Sequence, residues 1–105
     1  MKFYYTYIVE CLDKSYYTGI TNNLERRINE HNLGTLKSAY TYDKRPVTLV
    51  WFETFSDVNQ AIMMEKKVKG WSRRKKEALI KEDWEKLVLY SRNYTEYGGS
   101  STGSD

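Results

Sequence analysis

The sequence predicts an α+β fold with its elements in the order ββαβαα. Two short runs rich in Tyr, Thr, Ile and Val flank a cluster of turn residues, a strongly apolar third run covers Val47 to Phe55, and two stretches of helical patterning follow cap-type residues. At 105 residues the chain has room for one domain with one modest core, so a single fold must carry whatever the protein does.

The run from Phe3 to Cys11 reads as the first strand, Leu12-Asp13-Lys14-Ser15 as its turn and Tyr16 to Ile20 as the second strand, together a hairpin. Strand alternation puts Tyr5, Tyr7 and Val9 on one face, opposite Tyr4, Thr6 and Ile8, and gives Tyr17 the same face as Gly19. A glycine inside a strand marks either close approach by a ligand or another backbone, or a bulge that feeds the following turn; at Gly19 both readings stand, with open space beside the backbone. Asn22, with Glu25 three residues on, resembles a capping box that opens a helix through about Asn32, ending near Gly34.

Residues 33–46 have no clear period and are rich in Gly, Thr, Ser, Lys and Asp, as expected of a long surface loop of the kind that is often functional. The third strand, Val47 to Phe55, alternates Leu49, Trp51 and Glu53 against Val50, Phe52 and Thr54. Apolar residues on both sides predict a central or well-covered position. Ser56 is expected to cap a helix to about Lys69, stopped by Gly70. A further helical pattern follows Ser72 through Leu79, Ile80, Trp84, Leu87 and Val88. The expected organisation is one domain over 1–92 and a disordered tail over 93–105.

Composition excludes several classes. No apolar run approaches the roughly 20 residues of a membrane span, and the N-terminus lacks the apolar stretch of a secretory signal, so the cytoplasm is the expected compartment. A single cysteine, Cys11, makes no internal disulfide, and with a single histidine, His31, no Cys/His zinc site assembles within one chain. The net charge of +3 is locally concentrated: Lys66, Lys67, Lys69, Arg73, Arg74, Lys75, Lys76 and Lys81 stand against Glu65 and Glu77. Such a block suits phosphates or an acidic partner, and equally a solvated helix face. The ten tyrosines offer stacking and phosphate hydrogen bonding, or ordinary strand filling.

Two positions stand out from their patterns. At 100° per residue Val58, Ala61, Ile62 and Val68 form an apolar stripe, and Glu65 falls inside it. A carboxylate there must be paired, for instance with Lys69, or protonated, metal-bound, or at the edge of a cleft. In the first helix Arg27 and His31 lie four residues apart beside the Leu24 and Ile28 stripe. They are able to converge on one ligand, or to serve as surface charge and a structural histidine.

In order along the chain, Thr6-Tyr7, Tyr17-Thr18-Gly19, Leu24-Glu25-Arg26-Arg27 with His31, and then Glu65 resemble the GIY-YIG nuclease superfamily. The stretches from Tyr17 to Arg27 and from Lys69 to Lys76 resemble its small, stand-alone bacterial members, and the likeness runs from Phe3 to about Lys81. The resemblance implies a small three-stranded antiparallel sheet flanked by helices and metal-dependent hydrolysis of DNA phosphodiesters. Tyr7 and Tyr17 match the two motif tyrosines, Gly19 the glycine that keeps the second motif open, Arg27 the phosphate-binding arginine, His31 an auxiliary position and Glu65 the metal-binding carboxylate. The first motif reads Tyr5-Thr6-Tyr7 and the second has Thr18 at its centre; both keep their tyrosines. No asparagine downstream of Glu65 is identified.

The expected chemistry follows. One Mg²⁺ or Mn²⁺ is held by Glu65 and waters, Arg27 neutralises charge on the phosphate, and Tyr7 orients or deprotonates the attacking water with help from Tyr17 or His31. DNA is the expected partner, bound by Arg27, Lys66, Lys69, Arg73, Arg74, Lys75 and Lys76. The alternatives are a non-catalytic nucleic-acid-binding module and an interaction module whose basic helix docks on an acidic protein that supplies targeting.

Overall fold

A computed structural model describes residues 2–36 and 39–96, with side chains described as far as residue 92. The chain divides into two compact units, residues 1–65 and 66–105. The first holds β1 (Tyr4–Glu10), β2 (Tyr16–Thr21), α1 (Leu24–Leu33), a 3-10 turn (Tyr42–Lys44), β3 (Thr48–Phe55) and most of α2 (Val58–Lys69). The strands form an antiparallel sheet in the order β2-β1-β3.

The central strand is therefore β1, and the expectation of a central or well-covered β3 is corrected. The hairpin fixes β2 on one side of β1 and leaves only the other side for β3. Thr6, Tyr7, Ile8 and Val9 of β1 have no exposed surface, whereas Phe52 of β3 is 50% exposed. The strict alternation expected in β3 also fails. Ile8 pairs with Trp51 but Val9 with Leu49, so Val50 is an extra bulged residue and Leu49 joins the face of Phe52 rather than that of Trp51.

Alternation along β1 separates two packing surfaces. Tyr7 and Val9 form a core with Cys11 and Val47, against which Tyr17, Leu24, Ile28 and Leu49 pack. On the opposite face the Thr6 hydroxyl donates 2.8 Å to the Ala61 carbonyl, which ties α2 to the sheet.

Local chemistry sets the helix ends. The first helix is capped by Asn23, not by the expected Asn22: the Asn23 side chain accepts the Arg26 N–H at 3.0 Å, while its own N–H donates to the Thr21 hydroxyl at 3.1 Å. Gly34 ends α1 as expected, with φ 77°. Asp57 takes the place expected for Ser56, its carbonyl accepting the Ala61 N–H at 3.2 Å and its carboxylate the Asn59 N–H at 3.0 Å.

In the second unit Ser72 caps α3 (Arg73–Ile80) through the Lys75 N–H at 3.3 Å. The single helical pattern expected from Ser72 to Val88 is in fact two helices, α3 and α4 (Trp84–Glu96). Glu82, at φ 56°, turns the chain between them, and Asp83 accepts the Lys86 N–H at 3.2 Å to start α4. The observed order is ββαβααα. The first four residues of the expected tail belong to α4, and 97–105 lie outside the described residues.

Asn32, near the end of α1, exchanges two hydrogen bonds with Val47, giving Nδ2–H to its carbonyl at 3.1 Å and accepting its N–H at 2.6 Å. Val47 is 4% exposed, so Asn32→Ala strands a buried N–H and carbonyl at the entrance to β3. The expected cost is about 1–3 kcal/mol in urea denaturation. An unchanged midpoint would mean that the amide is dispensable.

Candidate active site

Tyr7 lies at the centre of β1, directly opposite Gly19 of β2. Its ring crosses the position where a side chain at Gly19 would begin: a Cβ there would sit 2.5 Å from the Tyr7 hydroxyl oxygen and 2.6 Å from Cζ. The space expected to be open beside Gly19 is occupied by Tyr7. The phenol then reaches α1, where its oxygen is 3.0 Å from His31 Nε2. The other imidazole nitrogen, Nδ1, is 2.6 Å from the hydroxyl of Thr41. Around this line the rings of Tyr17 and His31 meet edge to face at 5.5 Å, and Tyr40 stacks on Tyr17 at 6.2 Å with 14° between planes. Tyr40 is held in turn by Lys44, whose Nζ lies 4.7 Å from its ring, and by a 3.2 Å hydrogen bond to Ser15.

Burial sets the charge states. Removal from water pushes the Tyr7 phenol up to about 12, with the neighbouring Tyr17 adding to the rise and Glu30 adding less. The Arg27 guanidinium acts in the other direction, chiefly by its charge. The same burial, with the positive charge of Arg27, lowers the His31 pKa below the usual imidazole value, and Glu30 opposes this. At neutral pH the pair is a neutral phenol and a neutral imidazole. Of the two residues expected to supply a positive charge or a hydrogen-bond partner to Tyr7, His31 is a hydrogen-bond partner at 3.0 Å and uncharged, Tyr17 raises the pKa, and the positive neighbour is Arg27. Arg27 itself, about one-third exposed, holds Glu30 through Nε at 3.1 Å.

Tyr7, Tyr17, Arg27 and His31 are thus brought together. Glu65 is partly buried on α2. It follows one turn after Ala61, which bonds Thr6 on the face of β1 opposite Tyr7. Of the expected apolar stripe, Ala61 and Val68 are buried and Val58 is 37% exposed. Among the described residues no three His, Cys, Asp or Glu side chains stand together as a metal cage. A donor set of one carboxylate fits a hard cation that keeps most of its water, such as Mg²⁺ or Mn²⁺.

Within the second unit the basic segment is less uniform than its sequence. The ammonium of Lys75, only 9% exposed, lies 4.4 Å from the Trp71 ring, and the Arg74 guanidinium lies 4.4 Å from that of Tyr90. Arg73 holds Glu77 at 3.1 Å. Burial, together with the charge of Lys69, lowers the Lys76 pKa. Lys66, Lys67 and Lys69 are exposed.

Three residues of the site were not singled out by the sequence. Glu30 had a usable signal, three residues after Arg27 on one helix. Thr41 and Tyr40 lie in the segment without period, and only the three-dimensional fold brings them to His31 and Tyr17.

This sheet and tyrosine–histidine cluster belong to a defined class. Residues 3–78 match the pattern of the GIY-YIG catalytic domain, and the chain belongs to the GIY-YIG family. More narrowly, its relatives are small proteins that carry the name UPF0213. It is 45% identical over 80 residues to one from Haloquadratum walsbyi, covering 76% of this chain and 89% of that one. The solution NMR structure of a UPF0213 protein from Bacillus halodurans is 42% identical with a TM-score of 0.50, covering 75% of this chain and 83% of that one. That of a protein from E. faecalis is 36% identical with a TM-score of 0.55, covering 78% and 86%.

Gly19→Ala is expected to destabilise the fold by about 1–3 kcal/mol in chemical denaturation, because the added carbon overlaps a fully buried ring. A neutral Gly19→Ala would show that the Tyr7 ring is not confined there. The phenol also predicts a pH dependence. Its pKa is about 12 in the folded protein against 10.0 for the ordinary side chain, so the folded state keeps the proton longer. The resulting stability is complete below pH 10 and is lost as pH rises to 12, by at most about 2–3 kcal/mol. Comparing the alkaline unfolding of the protein with that of Tyr7→Phe isolates this loss; identical slopes would contradict it.

Proposed function

We propose that this protein is a metal-dependent phosphodiesterase that cleaves DNA in the cytoplasm, with repair or recombination as its setting. The observation that carries the reading is the convergence of Arg27 on the buried Tyr7–His31 pair. Arginine presents a planar fork of donors matched to phosphate oxygens, and Glu30, which holds it at 3.1 Å, is a carboxylate that a phosphate displaces. On binding, Arg27 neutralises charge that develops on the non-bridging oxygens as water attacks phosphorus and the ester oxygen departs. Glu65, with waters, would hold one Mg²⁺ or Mn²⁺, which when bound supplies Lewis acidity for the phosphate and the leaving oxygen. Tyr7 orients the attacking water or, once its own proton has gone to solvent, takes the proton of that water as phenolate; Tyr17 and His31 fix the position of the Tyr7 ring. Tyr7 has no exposed surface, so it reaches substrate only after the side chains that cover it shift. Lys66, Lys69, Arg73, Arg74 and Lys76 supply positive charge for the nucleic acid, whereas Lys75 is buried against Trp71, and sequence specificity is expected to be poor.

The same enclosure of Tyr7, with its pKa near 12, favours a second reading. In it Tyr7 is structural and the chain is a non-catalytic module that binds nucleic acid through its basic segment. Nicking of supercoiled and branched DNA in Mg²⁺ and Mn²⁺ separates the two. The expected result is cleavage by the intact protein, reduced at least 100-fold in Glu65→Ala, Arg27→Ala and Tyr7→Phe, with binding retained by Glu65→Ala. Binding without cleavage by any form supports the module, and neither binding nor cleavage points to an acidic protein partner.

A further inference from the structure

We infer that Tyr40 is a stacking platform for an unpaired nucleobase, a subsite beside the phosphate that Arg27 would hold, so that the DNA taken here is single-stranded next to the cut. The inference deepens the proposed function and rests on its nucleic-acid reading, while base stacking is open to measurement without any cleavage.

The rings of this site run from the interior to the surface. Tyr7 has no exposed surface, Tyr17 is half-buried and Tyr40 is 52% exposed. Tyr7 and Tyr17 have centroids 6.4 Å apart; Tyr17 and Tyr40 are 6.2 Å apart with 14° between their planes. A nearly parallel pair at that separation overlaps only at its margins. The Tyr40 side chain is nevertheless fixed. Its hydroxyl donates to Ser15 Oγ at 3.2 Å, and that hydroxyl donates in turn to the Asp13 carboxylate at 2.6 Å. The Lys44 ammonium lies 4.7 Å from the ring centroid and 3.7 Å from Asp13. Tyr17 and Lys44 together still leave half of the side chain open. Cover for Tyr17 needs only an apolar side chain, whereas the Ser15 hydrogen bond and the Lys44 contact hold a flat ring in one orientation. A ring held in advance loses little conformational freedom when a ligand settles on it.

The neighbourhood selects the occupant. Tyr17 meets His31 edge to face at 5.5 Å, and both His31 and Tyr7 lie in the field of the Arg27 guanidinium. The exposed ring therefore adjoins the group that the proposed function assigns to the phosphate. A strand with a phosphate at Arg27 carries its bases past the adjoining surface. Every base offers a flat π face, and an aromatic side chain stacks on it without reading which base it is, in keeping with poor sequence specificity. In a duplex the faces of each base are covered by its neighbours and the grooves present only edges. A base that stacks on Tyr40 is thus an unpaired one, as in a single strand, a flap or a branch point.

Binding is measured with the full chain in EDTA, so that no strand is cut. The probes are oligodeoxythymidylate, an abasic oligomer with the same number of phosphates, and a duplex of the same length. The natural protein is expected to bind oligothymidylate about tenfold more tightly than the abasic strand, as for one base stacked on one ring. In Tyr40→Leu, which keeps an apolar cover on Tyr17 but offers no flat face, the preference falls to about twofold or less, while Tyr40→Phe, which loses only the hydroxyl, retains most of it. Duplex affinity and the dependence of binding on salt stay the same in all three, because the phosphate contacts are untouched. Equal binding of the two single strands by the natural protein overturns the inference. So does a folded Tyr40→Leu that keeps the full preference or weakens duplex and single-strand binding alike. If Tyr40→Leu does not fold, the Tyr40 ring protons of the natural protein decide: they move upfield with oligothymidylate and not with the abasic strand, and identical shifts overturn the inference. In each of these failures the strands are still bound and the nucleic-acid reading stands. Binding of no strand by any form removes that reading and the inference with it, whereas base-dependent binding without nicking in Mg²⁺ or Mn²⁺ supports the subsite on a protein that does not cut.

Discussion

The structure depends on a tyrosine ring laid across a glycine. Tyr7 and Gly19 face each other in the β1–β2 register, and the ring occupies the volume that any side chain at 19 would need. This close approach brings the phenol oxygen to the His31 imidazole, and the imidazole in turn receives Thr41 from the loop. One steric vacancy in β2 thus sets the relation of the sheet to α1 and of α1 to the segment around Tyr42–Lys44. A register slip of one residue would turn Tyr7 to the α2 side and undo all three contacts together.

The same arrangement separates charge from polarity. The buried line from Thr41 to Tyr7 is neutral throughout, since desolvation raises the phenol pKa and lowers that of the imidazole. Formal charge is held at the edge, where Arg27 and Glu30 pair within one helix and keep partial contact with water. Burial makes Tyr7 a poor base in the free protein. Arg27 acts on both members of the pair, favouring the phenolate and disfavouring imidazolium, so loss of its Glu30 partner to a phosphate would engage the guanidinium close to the pair.

Much of this was legible in the sequence. Period-2 alternation placed Tyr7 and Val9 on one face of β1, and the glycine at 34 marked the end of α1 because only a left-handed residue closes it there. What was missed has physical causes. Position in the sheet follows from which strand edges remain after hairpin pairing, so the apolar content of β3 misled. The Val50 bulge leaves no mark in a run that is apolar on both faces. Caps were displaced by one residue at Asn23 and Asp57, because adjacent residues carry equivalent oxygen acceptors. Thr41 was invisible, since nothing local distinguishes a loop threonine that meets a histidine ten residues earlier.

The two faces of the sheet show why the tyrosine side is the one committed to a specific arrangement. On the α2 side Thr18 pairs with Ile8, and its buried hydroxyl oxygen has no hydrogen-bond partner among the described residues. An unsatisfied hydroxyl is tolerated there because β-branched shape is what the strand uses, and the surroundings ask no direction of it. On the Tyr7 side a phenol, an imidazole and a hydroxyl are linked end to end by two hydrogen bonds. Such a line has only two consistent proton arrangements, because a neutral imidazole donates through one nitrogen and accepts through the other.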